Sequence, residues 1–410
     1  MKQNLKLTAV ALLVATGLQV AQAGELTIES WRVDDKDLWE KEVIPAFNKA
    51  NPDITVKFAP TAPTEYNASL NTRLAGGTAG DLITCRPFDV SLELFNKGFL
   101  SDIKGLEGMA NFSDVAKSAW QTDDGSASFC MPMASVIHGF FYNQDIFAEL
   151  GLSVPETEAD FFAALDKIKA SGKYTPIALG TNDGWETHQI VYTGIGPNYW
   201  KGEEGRKALI GKTAKLTDPQ FAAPYAQMAK WQPYLSEGYQ SQTYGDSQNL
   251  FSLGRAAIYP AGSWDIAYFK TNAEFKMGAF KPPVANKGDT CYISDHTDIG
   301  MGINPASKNK ADAEKFLNWL ASKEFAELYT NKVTGFFSLT KHDIKIEDPV
   351  AAEMISWRNS CKSTIRLNAQ VLNRGKDDLE TTFWNAGQGV INGTTKPEEA
   401  TAKLQGMLDK

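Results

Sequence analysis

At several points in this 410-residue chain an aromatic side chain stands beside planar polar groups: Trp31-Arg32, Trp185-Glu186, Trp264-Asp265 and Trp384-Asn385. Related clusters are Tyr66 in "TAPTEYN", Arg86-Pro87-Phe88-Asp89, Asp295-His296-Thr297-Asp298 and Phe336-Phe337-Ser338. An aromatic ring offers a weakly negative face, while Arg, Asp, Glu and Asn offer planar groups able to bond two adjacent hydroxyls. That combination suits a neutral polyhydroxylated ring, a sugar, with its C–H face on the indole. The candidate contacts are therefore Trp31, Arg32, Tyr66, Arg86, Asp89, Trp185, Glu186, Trp264, Asp265, Asp298, Phe337 and Trp384. Trp39, Trp120, Trp319 and Trp357 are assigned to packing, since tryptophan is often buried for that reason alone.

Other chemistries find little support. There is no Gly-x-Ser-x-Gly elbow and no His-Glu-x-x-His pair. "GRKALIGKT" (205–213) has five residues between its glycines where a phosphate loop has four. Of the four histidines, His138 sits in an apolar run and is assigned to the core, and His188 is read as core or site-lining. No Cys-x-x-Cys spacing or histidine cluster points to a metal, and no cofactor is implied. Carboxylates are abundant, and a glycosidase pair needs only a separation of roughly 5–10 Å across a cleft. A secreted glycosidase or lyase is therefore the competing reading.

The elements that would position these residues alternate. "LTIESW" (26–31) and "ITVKF" (54–58) have the two-residue period of strands. Between them Trp39, Val43 and Phe47 recur on one helix face, with Pro45 expected to bend the helix. Strand–helix–strand at this spacing implies a mainly parallel sheet covered by helices. "DLIT" (81–84), "FCMPM" (129–133), "GFFYN" (139–143) and "PIALG" (176–180) read as short strands. Residues 157–172 read as a helix capped by Thr157 and Asp160 and closed by Gly172; 312–329 reads as one helix, and the chain from Pro397 as another. The aromatic clusters lie mostly at strand ends, where open parallel sheets bind ligands. With no flexible linker in evidence, two α/β lobes imply a chain that crosses between them more than once.

Residues 1–23 carry Lys2 and Lys6, an apolar centre and Ala21-Gln22-Ala23, the pattern of a secretory leader. Without those two lysines the formal charge moves from −8 to −10, which disfavours a nucleic-acid partner. Four cysteines, Cys85, Cys130, Cys291 and Cys361, permit three pairings in an exported chain, or buried free thiols.

"FSLGR" followed by "AIYPAGSW" (251–264) resembles the Gly-x-Ala-Ala-Met-x-x-x-Gly-x-Trp segment of bacterial extracellular solute-binding proteins of the sugar type, family 1. "FYNQDIFAELGLSVPETEADFFAALDKIKASG" (141–172), "KADAEKFLNWLASKEFAELY" (310–329) and "INGTTKPEEATAKL" (391–404) resemble further segments of that family in the same order. The resemblance implies a type II two-lobe clamp of the periplasmic binding proteins, α/β, each lobe a mainly parallel sheet flanked by helices, with several crossings. It implies lobe one at 24–137 plus 293–338 and lobe two at 138–292 plus 339–410. On that layout Cys85 pairs with Cys130 and Cys291 with Cys361. It further implies a monomeric, non-catalytic periplasmic receptor that hands a carbohydrate to an inner-membrane ABC permease. The family's aromatic platform maps to Trp264 and its near-C-terminal tryptophan to Trp384. Its polar contacts map to Arg32, Arg86, Asp89 and Glu186.

Overall fold

The computed structural model describes residues 24–376 and 378–410; the leader-like residues 1–23 lie outside them. Ten strands form one curled sheet: β1 (Gly24–Ser30), β2 (Ile54–Pro60), β3 (Leu82–Cys85), β4 (Met131–Asn143), β5 (Thr175–Ile177), β6 (Ala256–Gly262), β7 (Met277–Phe280), β8 (Tyr292–Ile303), β9 (Phe337–Ser338) and β10 (Lys362–Thr364). The spatial order is β2-β1-β3-β8-β4-β6-β5, with β10 on β8 and both β7 and β9 on β4. β1 runs parallel to β2 and β3, and β5 parallel to β6. The long strands β4 and β8 run antiparallel to each other and to β6 and β3 respectively.

These long strands explain how one sheet serves two lobes. Met131 to Val136 of β4 supply Met131, Met133, Ala134 and Val136 to a first apolar core, while Phe140 enters a second and Ile137 and Phe141 a third. β8 does the same in reverse, with Ile293 in the third core and Ile299, Met301 and Ile303 in the first. The second and third cores share β4 and β6, and the first lies at the other end of the long strands. "FCMPM" and "GFFYN" are thus not two strands but contribute to the two ends of one. Every residue from Met131 to Phe141 is buried, so the middle carries no alternation by which a continuous strand could be read.

Two helix expectations also need correction. The first helix is continuous from Lys36 to Ala50, but its middle, Trp39–Val43, widens into a π-turn in which Ile44 N–H reaches Trp39 O. The wide turn accommodates Pro45, which lacks an N–H and would crowd the preceding turn of a regular helix. The stripe Trp39, Val43 and Phe47 is buried as the periodicity requires. The run at 312–329 is broken into Lys310–Leu320 and Lys323–Lys332. Ser322 starts the second by accepting Phe325 N–H at 3.1 Å, and Phe325 and Tyr329 face the core beside it. The helix Glu158–Ser171 has the expected Thr157–Asp160 capping box and ends at Gly172 in the left-handed region. Gly205 lies inside the helix Glu203–Ile210, so the glycine-spaced stretch forms no phosphate loop.

The disulfides are Cys85–Cys130 and Cys291–Cys361, with Cα separations of 6.5 and 4.8 Å. One joins the end of β3 to the approach to β4, and the other ties the residues before β8 and β10. A third tie is polar. Ser263 Oγ receives Ile137 N–H at 3.1 Å and donates to Gly335 O at 2.5 Å, joining the end of β6 to the crossing strand and to the turn before β9. Gly335 has φ +101°, and a Cβ there would lie 1.8 Å from Ser263 O. Gly335→Ala is therefore expected to lower stability by about 2 kcal/mol or more, from backbone strain and the displaced contact; urea unfolding at constant m-value measures it.

Candidate functional site

A cavity of about 980 Å³ lies where elements of the different cores face each other. Trp31, Arg32, Tyr66, Arg86, Asp89, Trp185, Trp264, Asp298 and Trp384 all line it. Strand ends position most of them. Trp31 and Arg32 follow β1, Arg86 follows β3, Trp185 lies beyond β5, and Trp264 follows β6. Gly262 is glycine for a local reason: the Trp264 ring folds back over it, and a Cβ would meet that ring at 2.2 Å.

The indoles are held by their edges. Trp264 Nε1 donates to Tyr244 Oη at 3.0 Å, and Trp384 Nε1 to Glu380 Oε1 at 3.1 Å. Trp185 packs on Tyr244 with ring centroids 4.8 Å apart. Trp31 meets Tyr66 edge-on at 5.5 Å, and the Arg86 guanidinium lies over Trp31 at 4.3 Å. The Tyr66 hydroxyl donates to Thr84 O at 2.7 Å, so this residue offers the cavity its ring.

The polar side chains differ in how much they have left to give. Arg32 is clamped by Asp35 through bonds of 2.6 and 2.7 Å, and its guanidinium sits 4.9 Å from the Phe336 ring. Burial works against its charge, but the carboxylate of Asp35 more than compensates and holds it firmly protonated. Arg86 donates to Asn67 Oδ1 at 3.1 Å and has no carboxylate within ion-pair distance among the described residues. Burial accordingly lowers its pKa, with Asp298 opposing. Asp298 accepts Arg366 Nη2 at 3.2 Å. Arg366 also donates to His296 Nε2 at 3.1 Å, and His138 Nε2 lies 3.2 Å from the same nitrogen. Since His296 Nδ1 faces Thr297 O at 2.9 Å, the network assigns its proton to Nδ1 and leaves Nε2 as acceptor. Burial, reinforced by Arg366, pushes His296 down to about 4, so this ring is neutral at pH 7. His138 is a core histidine with its ring edge-on to Trp264, 5.2 Å away. His188 is also buried, stacked 4.4 Å from Phe383.

Asp89 accepts Arg374 Nε at 2.7 Å, and the same guanidinium bonds both oxygens of Asp123 at 2.7 and 2.8 Å. Asp89 begins a helix whose Leu94 is in the first core, whereas Leu372 and Leu379 beside Arg374 belong to the second. Arg374 thus ties a helix of the first core to a segment beside the second, at the cavity's edge.

Three expected contacts lie elsewhere. Glu186 and Asp265 are buried behind the wall, and Phe337 points into the third core from β9. Ser263–Asp265 forms a single tight helical turn, in which successive side chains diverge. That is why Trp264 reaches the cavity and its neighbour does not. Conversely, Tyr244, Gln189, Arg366, Asn368, Arg374 and Glu380 line the cavity without having been singled out from the sequence. Four of these stand in the run 366–380, whose density of Arg and Asn without any helix or strand period was the available signal. Glu380 collects donors from Gln189 at 2.6 Å and from Asn368 and Trp384. Burial opposes its charge, but His188 and Arg366 keep it ionised, with a lowered pKa. Among the described residues no group of three or more His, Cys, Asp or Glu is arranged to hold a metal ion.

Two lobes sharing crossing strands, with an aromatic and polar cavity between their cores, define a solute-binding protein of the two-lobe clamp type. The chain belongs to the bacterial extracellular solute-binding proteins, whose family model matches residues 32–327. A relative described as a multiple sugar-binding protein, from Streptococcus mutans serotype c, is 24% identical over 336 residues, covering 79% of this chain and 78% of its own. Among solved structures, a chitin oligosaccharide binding protein superposes with a TM-score of 0.79 at 22% identity, covering 94% of this chain and 98% of that one. RafE in complex with raffinose gives 0.77 at 22% identity, covering 94% and 99%. At such identities these two likenesses are of fold.

The buried acids generate a pH dependence. Burial pushes Glu186, whose oxygens have no hydrogen-bond partner among the described residues, up to about 8. Burial likewise raises Asp265 to about 7. Each folded-state pKa lies above its unfolded value, so the native chain keeps protons that the unfolded chain releases. The associated stability is present in acid and is lost as pH rises through about 7 and 8. Glu186→Gln is expected to match the parent in thermal unfolding near pH 5 and to exceed it above pH 8, by of the order of 1–3 kcal/mol. Calorimetry across that range tests the sign.

Proposed function

We propose that this protein is a periplasmic carbohydrate receptor, which captures a mono- or oligosaccharide between its lobes and delivers it to an ABC importer without chemical change. Lobe one comprises 24–137 and 293–338, and lobe two 138–292 and 339–410; the apolar cores support this division in outline, with Ile137, Ile293 and Phe337 in the third core and Ile190 and Trp264 in the first as exceptions near the seam. The observation that carries the reading is the cavity wall. The indole N–H groups of Trp264 and Trp384 are bonded within the protein, so what these rings offer a ligand is flat apolar surface. Around them stand Arg86, Asp34 and Asn373, suited to hydroxyl groups. The description of the Streptococcus relative as sugar-binding supports the same class.

Capture follows from differential contact. A sugar that touches both walls stabilises the lobe arrangement in which both touch it, by no more than its preference for that arrangement. Closing the cleft removes water and strengthens each hydroxyl hydrogen bond. A micromolar affinity corresponds to about −8 kcal/mol, within the reach of stacked rings and several charge-assisted bonds. The closed pair of lobes then presents a joint surface to the permease. A monomer suffices for this capture, since both walls come from one chain.

Mass spectrometry of small molecules released from protein purified without denaturation tests the class. A saccharide recovered intact supports it; a peptide, or a sugar cleaved on prolonged incubation, refutes it. For the recovered saccharide, Trp264→Ala is expected to weaken binding about 10- to 100-fold in calorimetry, the loss of one aromatic platform.

A further inference from the structure

Behind the indole wall lies a polar layer whose function the cavity alone does not explain. Tyr244 opens the helix Tyr244–Ser252, held there by the Thr243–Asp246 capping box and by donation of its backbone N–H to Asp183 Oδ2 at 3.0 Å. Its hydroxyl has one proton and two acceptor sites. It accepts Trp264 Nε1 at 3.0 Å and donates to Asp265 Oδ1. Gln248, one turn further along the helix, donates to the same Asp265 oxygen at 2.9 Å. The ring of Tyr244 packs on Trp185 at 4.8 Å. One residue therefore touches both indoles of this wall and is itself oriented by a buried carboxyl group.

We propose that Tyr244 is the positioning residue of the binding wall and Asp265 its proton-dependent anchor, so that the charge on Asp265 sets how firmly Trp264 and Trp185 are held and how tightly the cleft grips a saccharide. Asp265 Oδ2 is buried with no partner among the described residues, which makes it the oxygen where a proton is gained or lost. The charged and titratable groups facing this carboxyl are Asp34 and Arg32 from the loop after β1, Glu186 from the segment after β5, Tyr259 on β6, Tyr268 on the helix that follows Asp265, and Tyr244. Burial raises Asp265 to about 7, against the donors Tyr244 and Gln248. Ionised, Asp265 is a full acceptor. It polarises the Tyr244 O–H, and the phenol oxygen becomes the better acceptor for the indole. Protonated at Oδ2, it still accepts through Oδ1 but more weakly, so Tyr244, and with it both rings, is held less firmly. The grip thus tightens as pH rises through about 7. The fold loses stability over the same interval, as worked out above for the buried acids. Affinity and stability moving in opposite directions separate positioning from a merely structural role.

The affinity part rests on the carbohydrate reading; the positioning part does not. The indole N–H signal of Trp264, assigned by its loss in Trp264→Phe, is followed by NMR in ligand-free protein labelled at tryptophan, between about pH 5 and pH 9. The parent should show a titration near 7. Glu186→Gln should keep it, Asp265→Asn should abolish it, and Tyr244→Phe should displace the signal at every pH. Raffinose and a panel of neutral oligosaccharides serve as probes of affinity. For any that binds, Kd should fall several-fold across the same titration in the parent and stay flat in Asp265→Asn. Tyr244→Phe should weaken binding about tenfold and lower Tm as well, because Trp264 Nε1 and Asp265 lose a buried partner. A Trp264 signal indifferent to pH, or unchanged by Asp265→Asn, overturns the proposal. So does a titrating signal with a pH-independent Kd. If the signals behave as described and no saccharide of the panel binds, positioning of the wall is upheld and the carbohydrate reading fails.

Discussion

The structure depends on two strands that must satisfy both lobes at once. β4 and β8 lie side by side, antiparallel, and each feeds side chains to the first core at one end and to the second lobe at the other. A strand buried on both faces cannot exchange its apolar residues for polar ones without leaving unpaired groups in the interior. β4 is therefore fixed in composition along its buried length, whereas β8 crosses at 294–298 and carries His296 and Asp298 to the cavity. The Ser263–Gly335 bond and the His138–His296 pair sit at this seam, and both connect it to the platform residue Trp264. The ring most exposed to a bound ligand's demands is thus attached to the part of the fold with the least room to adjust.

The cavity follows a consistent division of labour. Polar atoms that could compete for a ligand are largely occupied by neighbouring side chains: Arg32 by Asp35, Arg366 by Asp298 and His296, Glu380 by three donors. Flat surfaces are left open. Such pre-arrangement reduces the ordering cost of binding, because the groups contacting a ligand have already lost their freedom. Arg86 is the exception, with donors to spare over the Trp31 face.

How much of this was legible in the sequence varied with how local its cause was. The helix at 158–171 and its capping box were readable because Thr157, Asp160 and Gly172 act within a few residues of themselves. The burial of Trp39, Val43 and Phe47 was readable from period alone, but the π-turn beside Pro45 was not. Among the aromatic clusters, Trp31, Trp185 and Trp264 follow strands and line the cavity. Adjacency misled at Glu186 and Asp265, where consecutive residues of a turn face opposite sides. Phe337 misled because a two-residue strand on β4 turns it inward. Arg366, Asn368 and Arg374 carry no local periodicity; the fold alone brings them beside Trp31 and Arg86. The disulfide pairs were legible only through the lobe layout that the family resemblance implied, since no spacing rule expresses them.

The bridge from Arg374 to Asp89 and Asp123 joins a helix of the first core to a segment beside the second, at the rim of the cavity. It is half-exposed and ionic, so its grip weakens as salt screens it. The hold between these two parts of the chain is thereby made sensitive to the ionic strength of the surroundings.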